Sequence, residues 1–260
     1  WVYKTSRGES NNIGFGSQID FDAVGSYHVL PALFKKEISA EDAVKHKDGF
    51  SLTIGNREGV DHPVTMDNFV NISAMSFGSL SARAIESLNR GAMEAHILHN
   101  TGEGGLSPYH KSGGDVIFQM GTAKFGVRND DSTLNDELLK ELASYDKVRM
   151  IEVKLSQGAK PGKGGMLLKE KITPEIASIR KVPMGKDVIS PPRHLEIDDV
   201  PSLFDFIDRV RAITKKPVGI KIVVGHMGEI EAIAEAMAAE PGRGPDYISV
   251  DGSEGGTGAA

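Results

Sequence analysis

Residues 148–165 read VRMIEVKLSQGAKPGKGG, a largely apolar run that opens into a glycine-rich loop. The apolar part predicts a buried β-strand, and the four glycines that follow permit backbone conformations that other residues rarely adopt. Lysine side chains beside such a backbone suit an anionic ligand that approaches the main chain closely. The stretch therefore predicts a binding loop at a strand end, although an exposed turn with solvated lysines explains it equally well in isolation.

Two other glycine-rich loops repeat this arrangement. Residues 100–105 read NTGEGG after a short apolar stretch, and residues 251–258 read DGSEGGTG after the apolar residues 247–250. In a βα barrel, the loops after the strands meet at one end and build the active site. Three polar loops with complementary chemistry favour a shared site over three unrelated turns.

The composition is typical of one large globular domain. The chain has 260 residues, of which 39 % are hydrophobic and 25 % are charged, and its net charge is −6. No basic patch alternates with aromatic residues, so nucleic acid is not an expected partner. The chain has no cysteine, which excludes disulfides and thiolate metal sites within these residues.

Location is a default expectation. No apolar run approaches the roughly 20 residues of a membrane span. We therefore expect a cytoplasmic protein. The first residue is Trp1 rather than methionine, which suggests that the chain begins inside a longer one and leaves an upstream membrane anchor open.

Apolar periodicity predicts alternating strands and helices from residue 65 onward. The predicted strands are residues 69–75, 97–100, 148–155, 187–190, 218–224 and 247–250. The predicted helices are residues 81–95, 173–180, 200–214 and 230–239, with Ser79 or Ser81 as the cap of the first and Pro174 in the first turn of the second. Residues 1–64 are interpreted as an irregular N-terminal arm packed on a domain of residues 65–260.

Apolar strands that alternate with helices favour an α/β fold with a parallel sheet covered by helices. A doubly wound sheet also fits the pattern, but functional-looking loops follow nearly every strand rather than one switch point. The prediction is therefore a TIM-type (β/α)8 barrel. It is incomplete, with about six of the eight βα units, and we expect the last two units to lie beyond residue 260.

Five segments carry a resemblance to a known family. They are residues 73–81, 100–105, 157–165, 189–192 and 251–259, in this order along the chain. In them the chain resembles the FMN-binding synthase domain of the glutamate synthase family, and especially the short stand-alone proteins of that family. The family fold is a flavin-containing βα barrel, which agrees with the prediction from the pattern of strands and helices.

The resemblance implies an FMN cofactor. Met75 and Ser76 match the backbone platform beside the isoalloxazine ring, and Lys154 matches a cation near the edge of the ring where negative charge develops on reduction. The remaining residues of the implied cofactor site are Thr101, Asp251, Gly252, Gly255, Gly256 and Thr257. Glycine-rich backbone of this kind suits a phosphate group.

The resemblance also implies reductive amination of 2-oxoglutarate, or of a related 2-oxo acid, with ammonia. Lys160 and Arg180 match the residues that hold the substrate carboxylates, and Gln157 matches a hydrogen-bonding neighbour. Glu103 matches a catalytic carboxylate near the entry of ammonia, where it would accept a proton from ammonium. Lys154 is the second residue with an implied catalytic role.

One position departs from the family pattern. Larger glutamate synthases have a glutamine after the paired glycines of the 157–165 loop, whereas this chain has Met166. Methionine cannot donate a hydrogen bond to a carboxylate or an oxo group. The substrate is therefore either held differently, or it is a different 2-oxo acid or amine.

The family also implies partners that this chain does not contain. Electrons would come from ferredoxin or from a nicotinamide-oxidising subunit, and ammonia would arrive free or from an amidotransferase subunit. An iron–sulfur cluster is a further expectation for the intact protein, but its cysteine ligands are not in this chain. No metal site is expected, because the histidines are scattered without carboxylates at ligand spacing.

Two alternatives remain open at the level of sequence. The first is a non-catalytic or regulatory flavin-binding subunit of a glutamate-synthase-like complex. The second is another FMN barrel such as a 2-hydroxy-acid oxidase, which requires a histidine base beside an arginine. Arg193 and His194 are the candidates for that pair, and we expect His194 to line the pocket.

Overall fold

A parallel sheet of five strands organises the residues that the computed structural model describes, which are residues 51–158 and 164–252. All of these belong to one compact unit that contains residues 44–260. The strands of the described residues are β1 (Leu52–Ile54), β2 (Val64–Met66), β3 (His99–Asn100), β4 (Val116–Met120), β5 (Val148–Lys154), β6 (Met166–Leu167), β7 (Val188–Ile189), β8 (Val218–Ile222) and β9 (Ile248–Val250). The parallel sheet has the order β3-β4-β5-β8-β9.

Five α-helices lie in the described residues. They are α1 (Ala82–Ala95), α2 (Asp136–Ala143), α3 (Pro174–Arg180), α4 (Val200–Thr214) and α5 (Met227–Ala239). Side chains of α2, α4 and α5 pack with the outward-facing residues of β4, β5 and β8 in the main hydrophobic core. Within the described ranges, no helix combines the length and the apolar character that crossing a membrane requires.

The sheet is curled and covers about half of a barrel, so the predicted incomplete TIM-type barrel is confirmed. The α4 helix shows how sequence produces this packing. Phe204, Ile207 and Val210 are fully buried on its sheet-facing side, and Asp199 caps its first turn by accepting a hydrogen bond from the N–H of Ser202 at 2.9 Å.

All four predicted helices are confirmed, with shifts of one to three residues at the starts of three of them. The side chain of Ser81 caps α1 by accepting a hydrogen bond from the N–H of Ala84, and Pro174 is the first residue of α3. The last helix begins at Met227, three residues earlier than predicted. The short helix α2 was missed, although Asn135 caps it and acidic residues fill its first turn.

Two predicted strands do not form strands of the parallel sheet as predicted. In residues 69–75 only Ile72 pairs with the sheet, through an isolated parallel bridge to His99. The side chain of Asn71 accepts a hydrogen bond from the N–H of Leu98 at 2.9 Å, so a side chain occupies a position that a strand backbone would otherwise take. Residues 187–190 contribute only β7, which pairs antiparallel with β6 outside the main sheet, because Pro191 and Pro192 end the strand at once.

The strand that replaces these in the sheet is β4, which the sequence analysis missed. It is fully buried and stands between β3 and β5 in the order of the sheet. Its sequence VIFQM lacks the alternation of polar and apolar residues that marks a half-buried strand. A short apolar run of this kind is recognisable mainly by its flanking glycines, here Gly114 and Gly121.

The N-terminal arm stays a prediction. Residues 1–50 lie outside the described residues, and β2 spans the predicted boundary between residues 64 and 65. The antiparallel pair β1 and β2 packs Ile54 and Val64 against Leu98, Ile117 and Met150. Because these last three residues lie at the amino ends of β3, β4 and β5, the hairpin closes that end of the half-barrel with apolar side chains.

The middle of the concave face is polar. Glu152 is 2 % exposed, and its Oε1 accepts hydrogen bonds from the amide groups of Asn100 at 2.8 Å and Gln119 at 2.7 Å. Its Oε2 accepts a hydrogen bond from the hydroxyl of Ser249 at 2.6 Å. One carboxylate thus joins β5 to β3, β4 and β9.

A second buried carboxylate ties the amino end of the sheet to α4. Asp246 has a side-chain exposure of 1 % and contacts Arg57 at 3.2 Å and Arg211 at 3.3 Å. It also accepts a hydrogen bond from the N–H of Val218 at 2.7 Å. A buried charge with several partners is costly to disrupt, because removing it leaves the other groups without compensation.

We therefore predict that Asp246→Ala lowers the free energy of unfolding by about 3–5 kcal/mol, because it leaves the buried guanidinium of Arg211 and the N–H of Val218 without this acceptor. Urea unfolding of the intact protein measures the loss. The matched control is Glu240→Ala, which removes a half-exposed partner of Arg243 and should cost less than about 1 kcal/mol. Equal losses for the two variants would contradict the proposed role of Asp246.

Candidate functional site

Three of the predicted site residues meet at the carboxyl end of β5. The Nζ atom of Lys154 lies 3.3 Å from Oε2 of Glu103 and donates a hydrogen bond to Oε1 of Gln157 at 2.6 Å. These side chains line a small cleft of about 30 Å³ together with Pro191 and Pro192. Residues that are far apart in the sequence therefore converge on one point of the rim.

Glycines create the space for Glu103. A Cβ atom built on Gly121, just after β4, would overlap the Glu103 carboxylate and would lie 2.9 Å from its Cβ atom. The loop that carries Glu103 is anchored by Asn100, whose Oδ1 accepts a hydrogen bond from the N–H of Gly102 at 3.0 Å. Asn100 is also a partner of Glu152, so the buried carboxylate of the sheet and the loop of Glu103 are connected.

The predicted flavin platform contacts the same loop. The N–H of Met75 donates to the carbonyl of Asn100 at 3.1 Å. Gly102 has a φ of +64°, and a Cβ atom there would lie 2.7 Å from the backbone nitrogen of Ser76. A residue with a side chain would therefore push the two segments apart, and the glycine permits their close approach.

Arg180, the last residue of α3, reaches the other side of this loop. Its Nη2 donates to the carbonyl of Phe77 at 3.0 Å, and its guanidinium lies over the ring of Phe125 at 5.1 Å. Burial lowers the pKa of Arg180, and the neighbouring Glu103 carboxylate acts in the opposite direction. Arginine is so basic that it remains charged. The cation lies against the loop that carries Glu103, since a Cβ atom on Gly104 would lie 3.3 Å from its Nη2 atom.

Lys221 is a charged residue of the rim that the sequence analysis did not select. It pairs with Lys154 across β5 and β8, and its Nζ lies 3.1 Å from Oδ1 of Asp251. The other oxygen of Asp251 accepts a hydrogen bond from the N–H of Gly158 at 2.8 Å. A lysine in an otherwise apolar strand was the available signal, since such a residue needs a partner when it is buried.

The other residues predicted to bind the cofactor or the substrate are partly described by the structure. The hydroxyl of Thr101 is buried and bonds to backbone groups of Gly102 and Gln119 at 3.0 Å each. Gly252 is exposed at the end of the described chain. Lys160, Gly255, Gly256 and Thr257 lie outside the described residues.

His194 does not line the cleft as expected. It is 1 % exposed, and its Nε2 donates to the carbonyl oxygen of Lys154 at 2.9 Å. Burial, together with the charge of Lys124, lowers the pKa of His194 to about 4. Among the residues that the structure describes, no cluster of three or more histidines and carboxylates has the arrangement of a metal site.

Comparison with known proteins gives the family. Residues 25–260 match the model of the conserved region in glutamate synthase. This chain belongs to the glutamate synthase family. It is 36 % identical to the glutamate synthase large subunit-like protein YerD of Bacillus subtilis (strain 168), over 97 % of this chain and 54 % of that protein.

Two further relatives are named as glutamate synthases. The archaeal-type glutamate synthase [NADPH] of Thermotoga sp. (strain RQ2) is 38 % identical over 74 % of this chain and 35 % of its own length. The archaeal glutamate synthase [NADPH] of Archaeoglobus fulgidus is 38 % identical over 76 % of this chain and 36 % of its own length. The chain thus spans about half of the first relative and about a third of the other two.

The packing of Glu103 over Gly121 leads to a prediction. Gly121→Ala should lower the free energy of unfolding by about 1–3 kcal/mol, because the added methyl group overlaps the Glu103 side chain. The matched control is Gly91→Ala on the exposed face of α1, where a Cβ atom meets no atom within 4 Å. That variant should stabilise the protein by about 0.5–1 kcal/mol, because alanine is the better helix former. Urea unfolding measures both changes. If the free energy of unfolding changed in the same direction in both variants, the proposed packing of Glu103 over Gly121 would be refuted.

Proposed function

We propose that this chain forms the flavin-binding part of a glutamate synthase-type oxidoreductase. In this proposal it binds FMN and catalyses the reductive amination of 2-oxoglutarate, or of a related 2-oxo acid, with ammonia to an L-amino acid. The observation that carries the proposal is the meeting of Glu103, Lys154 and Gln157 at one point of the rim, with Arg180 beside the Glu103 loop. In this arrangement the proposed acid–base group Glu103 and the proposed carboxylate-binding residue Gln157 both contact the ammonium group of Lys154.

The residues of the rim fit an anionic cofactor with a flat polar edge. Lys154 and Lys221 place two ammonium groups on the concave side, and the Nε2 atom of Gln157 is buried without a hydrogen-bond partner. A buried donor without a partner is costly, so an acceptor atom of a ligand would stabilise it. Gly102 and Gly104 keep the neighbouring backbone close and free of side chains. When bound, reduced FMN would supply the hydride of the reaction.

The proposed chemistry joins ammonia to the oxo carbon of the substrate. Ammonia adds to the carbon, water leaves to form an imine, and addition of a hydride and a proton completes the amino acid. Glu103 would accept the proton of ammonium, which frees the lone pair that forms the carbon–nitrogen bond. Its position beside Lys154 keeps the carboxylate near a cation that also attracts the anionic substrate.

Substrate carboxylates would be held by the two cations that the family resemblance indicates. Arg180 offers a planar fork that matches a carboxylate, and its neighbours Gly78 and Gly104 place no side chain against its Nη2 atom. Lys160 lies outside the described residues and keeps this role as a prediction. Gln157 would donate its free Nε2 hydrogens to the same ligand.

Met166 bears on the choice of substrate. It lies in β6 directly after Gly165 and is 65 % exposed. A thioether offers no donor to a second carboxylate, so the contact that a glutamine would make is lost here. The proposal therefore includes 2-oxo acids other than 2-oxoglutarate.

Further components would supply electrons and ammonia. We propose ferredoxin or a nicotinamide-oxidising subunit as the electron donor, and free ammonia or an amidotransferase subunit as the nitrogen source. The FMN phosphate would lie against the glycine-rich residues 255–257, which are outside the described range. An iron–sulfur cluster of the intact protein would need cysteines that this chain lacks.

The test uses the intact protein. We expect a yellow preparation that releases FMN on denaturation, and reduced flavin that is reoxidised anaerobically by 2-oxoglutarate or another 2-oxo acid only when ammonium is present. A colourless preparation would refute the flavin proposal. Flavin that is present but ignores every 2-oxo acid tested would favour the non-catalytic subunit instead.

The structure gives little support to a 2-hydroxy-acid oxidase. His194 is buried behind Lys154 and already donates to its carbonyl, while Arg193 is partly exposed and pairs with Asp198 at 2.6 Å. Neither side chain is among those that line the cleft. The histidine base that this chemistry requires is therefore not among the described residues that line the cleft.

Glu103→Gln should lower kcat by about 10²–10⁴-fold at neutral pH, because the amide cannot accept a proton from ammonium. FMN content should stay unchanged, since the variant keeps the size of the side chain. Anaerobic flavin reoxidation measures kcat, and Glu94→Gln on the exposed face of α1 is the matched control. A rate within threefold of the unaltered protein, roughly 0.6 kcal/mol in the barrier, would exclude Glu103 as the proton acceptor.

A further inference from the structure

Two buried histidines hold backbone carbonyls of the proposed flavin site. His110 is fully buried, and its Nε2 lies 2.9 Å from the carbonyl oxygen of Met75. His194 is 1 % exposed, and its Nε2 lies 2.9 Å from the carbonyl oxygen of Lys154. Met75 and Lys154 are on different segments, so two separate loops have the same arrangement.

The hydrogen bonds determine the tautomer of His110. The N–H of Ser107 points to Nδ1 at 3.3 Å and can only donate, so Nδ1 is the acceptor. The hydroxyl of Ser107 lies 2.8 Å from the same atom. Since a carbonyl oxygen can only accept, Nε2 carries the hydrogen and donates it to Met75. Burial lowers the pKa of His110, which favours this neutral form.

His194 has the same neutral form. The carbonyl of Lys154 can only accept, so the Nε2 of His194 carries the hydrogen. The ring packs against Phe206 at 5.7 Å between centroids, and Nδ1 has no hydrogen-bond partner. The ammonium group of Lys124 lies nearby, where it pairs with Glu196 at 2.8 Å. Its positive charge would repel a protonated His194 imidazole.

The hydrogen bond from His110 is the second one that holds the backbone of Met75. The N–H of Met75 is already bound to Asn100 at 3.1 Å, so both backbone groups of this residue have partners. The next residue, Ser76, packs against Gly102 at a distance that excludes a side chain there. Movement of Met75 would therefore break a hydrogen bond on at least one side.

We propose that His110 and His194 are positioning residues of the flavin site. Each acts as a neutral donor that fixes the backbone of a residue assigned to contact the flavin, and neither touches the ligand. His110 holds the platform at Met75, and His194 holds the strand end from which Lys154 projects. This inference rests on the proposed function.

The test replaces His110 and His194, one at a time, by glutamine, by asparagine or by phenylalanine in the intact protein. Glutamine carries an N–H close to the position of Nε2, asparagine does not reach the carbonyl, and phenylalanine keeps the ring volume without a donor. The comparison of glutamine with asparagine stays informative if a phenylalanine variant fails to fold. His62→Phe, in the exposed loop between β1 and β2, is the control for a change of histidine to phenylalanine.

The two sites should respond differently. His110→Phe and His110→Asn should raise the dissociation constant of FMN by about tenfold or more, because they leave the partly buried carbonyl of Met75 without its donor. His194→Phe and His194→Asn should lower kcat of flavin reoxidation and make the flavin midpoint potential more negative, because Lys154 is less well held beside the developing charge. Their effect on the KM for the 2-oxo acid should be smaller than on kcat. The glutamine variants should return to within threefold of the unaltered protein.

The outcomes separate the two levels of the proposal. If the unaltered protein binds no FMN, the proposed function fails and the positioning roles fail with it. If the unaltered protein binds FMN and the asparagine variants match the glutamine variants in FMN affinity, kcat and midpoint potential, only the positioning roles are overturned. A loss of melting temperature with unchanged flavin properties would also overturn them, because it would indicate a purely structural role.

Discussion

The rest of the site depends on the hydrogen bonds that the buried carboxylate of Glu152 accepts. It lies on the concave face of the half-barrel and accepts hydrogen bonds from Asn100, Gln119 and Ser249, which belong to β3, β4 and β9. Hydrogen bonds to a charged group stabilise a fold by about 1.5–3 kcal/mol each, so three of them offset much of the cost of burying the charge. The contacts also fix the lateral order of the strands, since each partner belongs to a different one.

This network sets the position of the rim above it. Side chains alternate between the two faces of a strand, so Lys154 follows Glu152 on the same face of β5. Asn100 connects Glu152 to the N–H of Gly102 and so to the loop that carries Glu103. The strand that carries Lys154 and the loop that carries Glu103 are therefore both attached to one buried carboxylate.

The concave face has three levels with different chemistry. Apolar residues of the β1–β2 hairpin close the amino end, the Glu152 network fills the middle, and charged residues lie at the carboxyl end. The convex sides of β4, β5 and β8 are apolar and pack against α2, α4 and α5. A ligand at the carboxyl rim thus meets charged groups that stand on a layer of hydrogen-bonded polar side chains.

Much of this was predictable from sequence, and the failures have physical reasons. Long amphipathic segments such as α4 were found because their apolar spacing reports the buried face directly. The strand β4 was missed because it is buried on both faces and shows no alternation. Residues 69–75 look apolar enough for a strand, but the side chain of Asn71 takes a backbone partner and only Ile72 pairs with the sheet.

By itself, the sequence determined the α/β class, the glycine-rich loops at strand ends, and the residue types available for binding an anion, because these depend on local periodicity and on side-chain chemistry. Only the tertiary structure decided which of these residues meet. It brought Glu103, Lys154 and Gln157 to one cleft, added Lys221 through its register with Lys154, and turned His194 away from the cleft to the carbonyl of Lys154. The physical reason is that register and curvature of a sheet arise from contacts between distant strands, which no single segment of the sequence encodes.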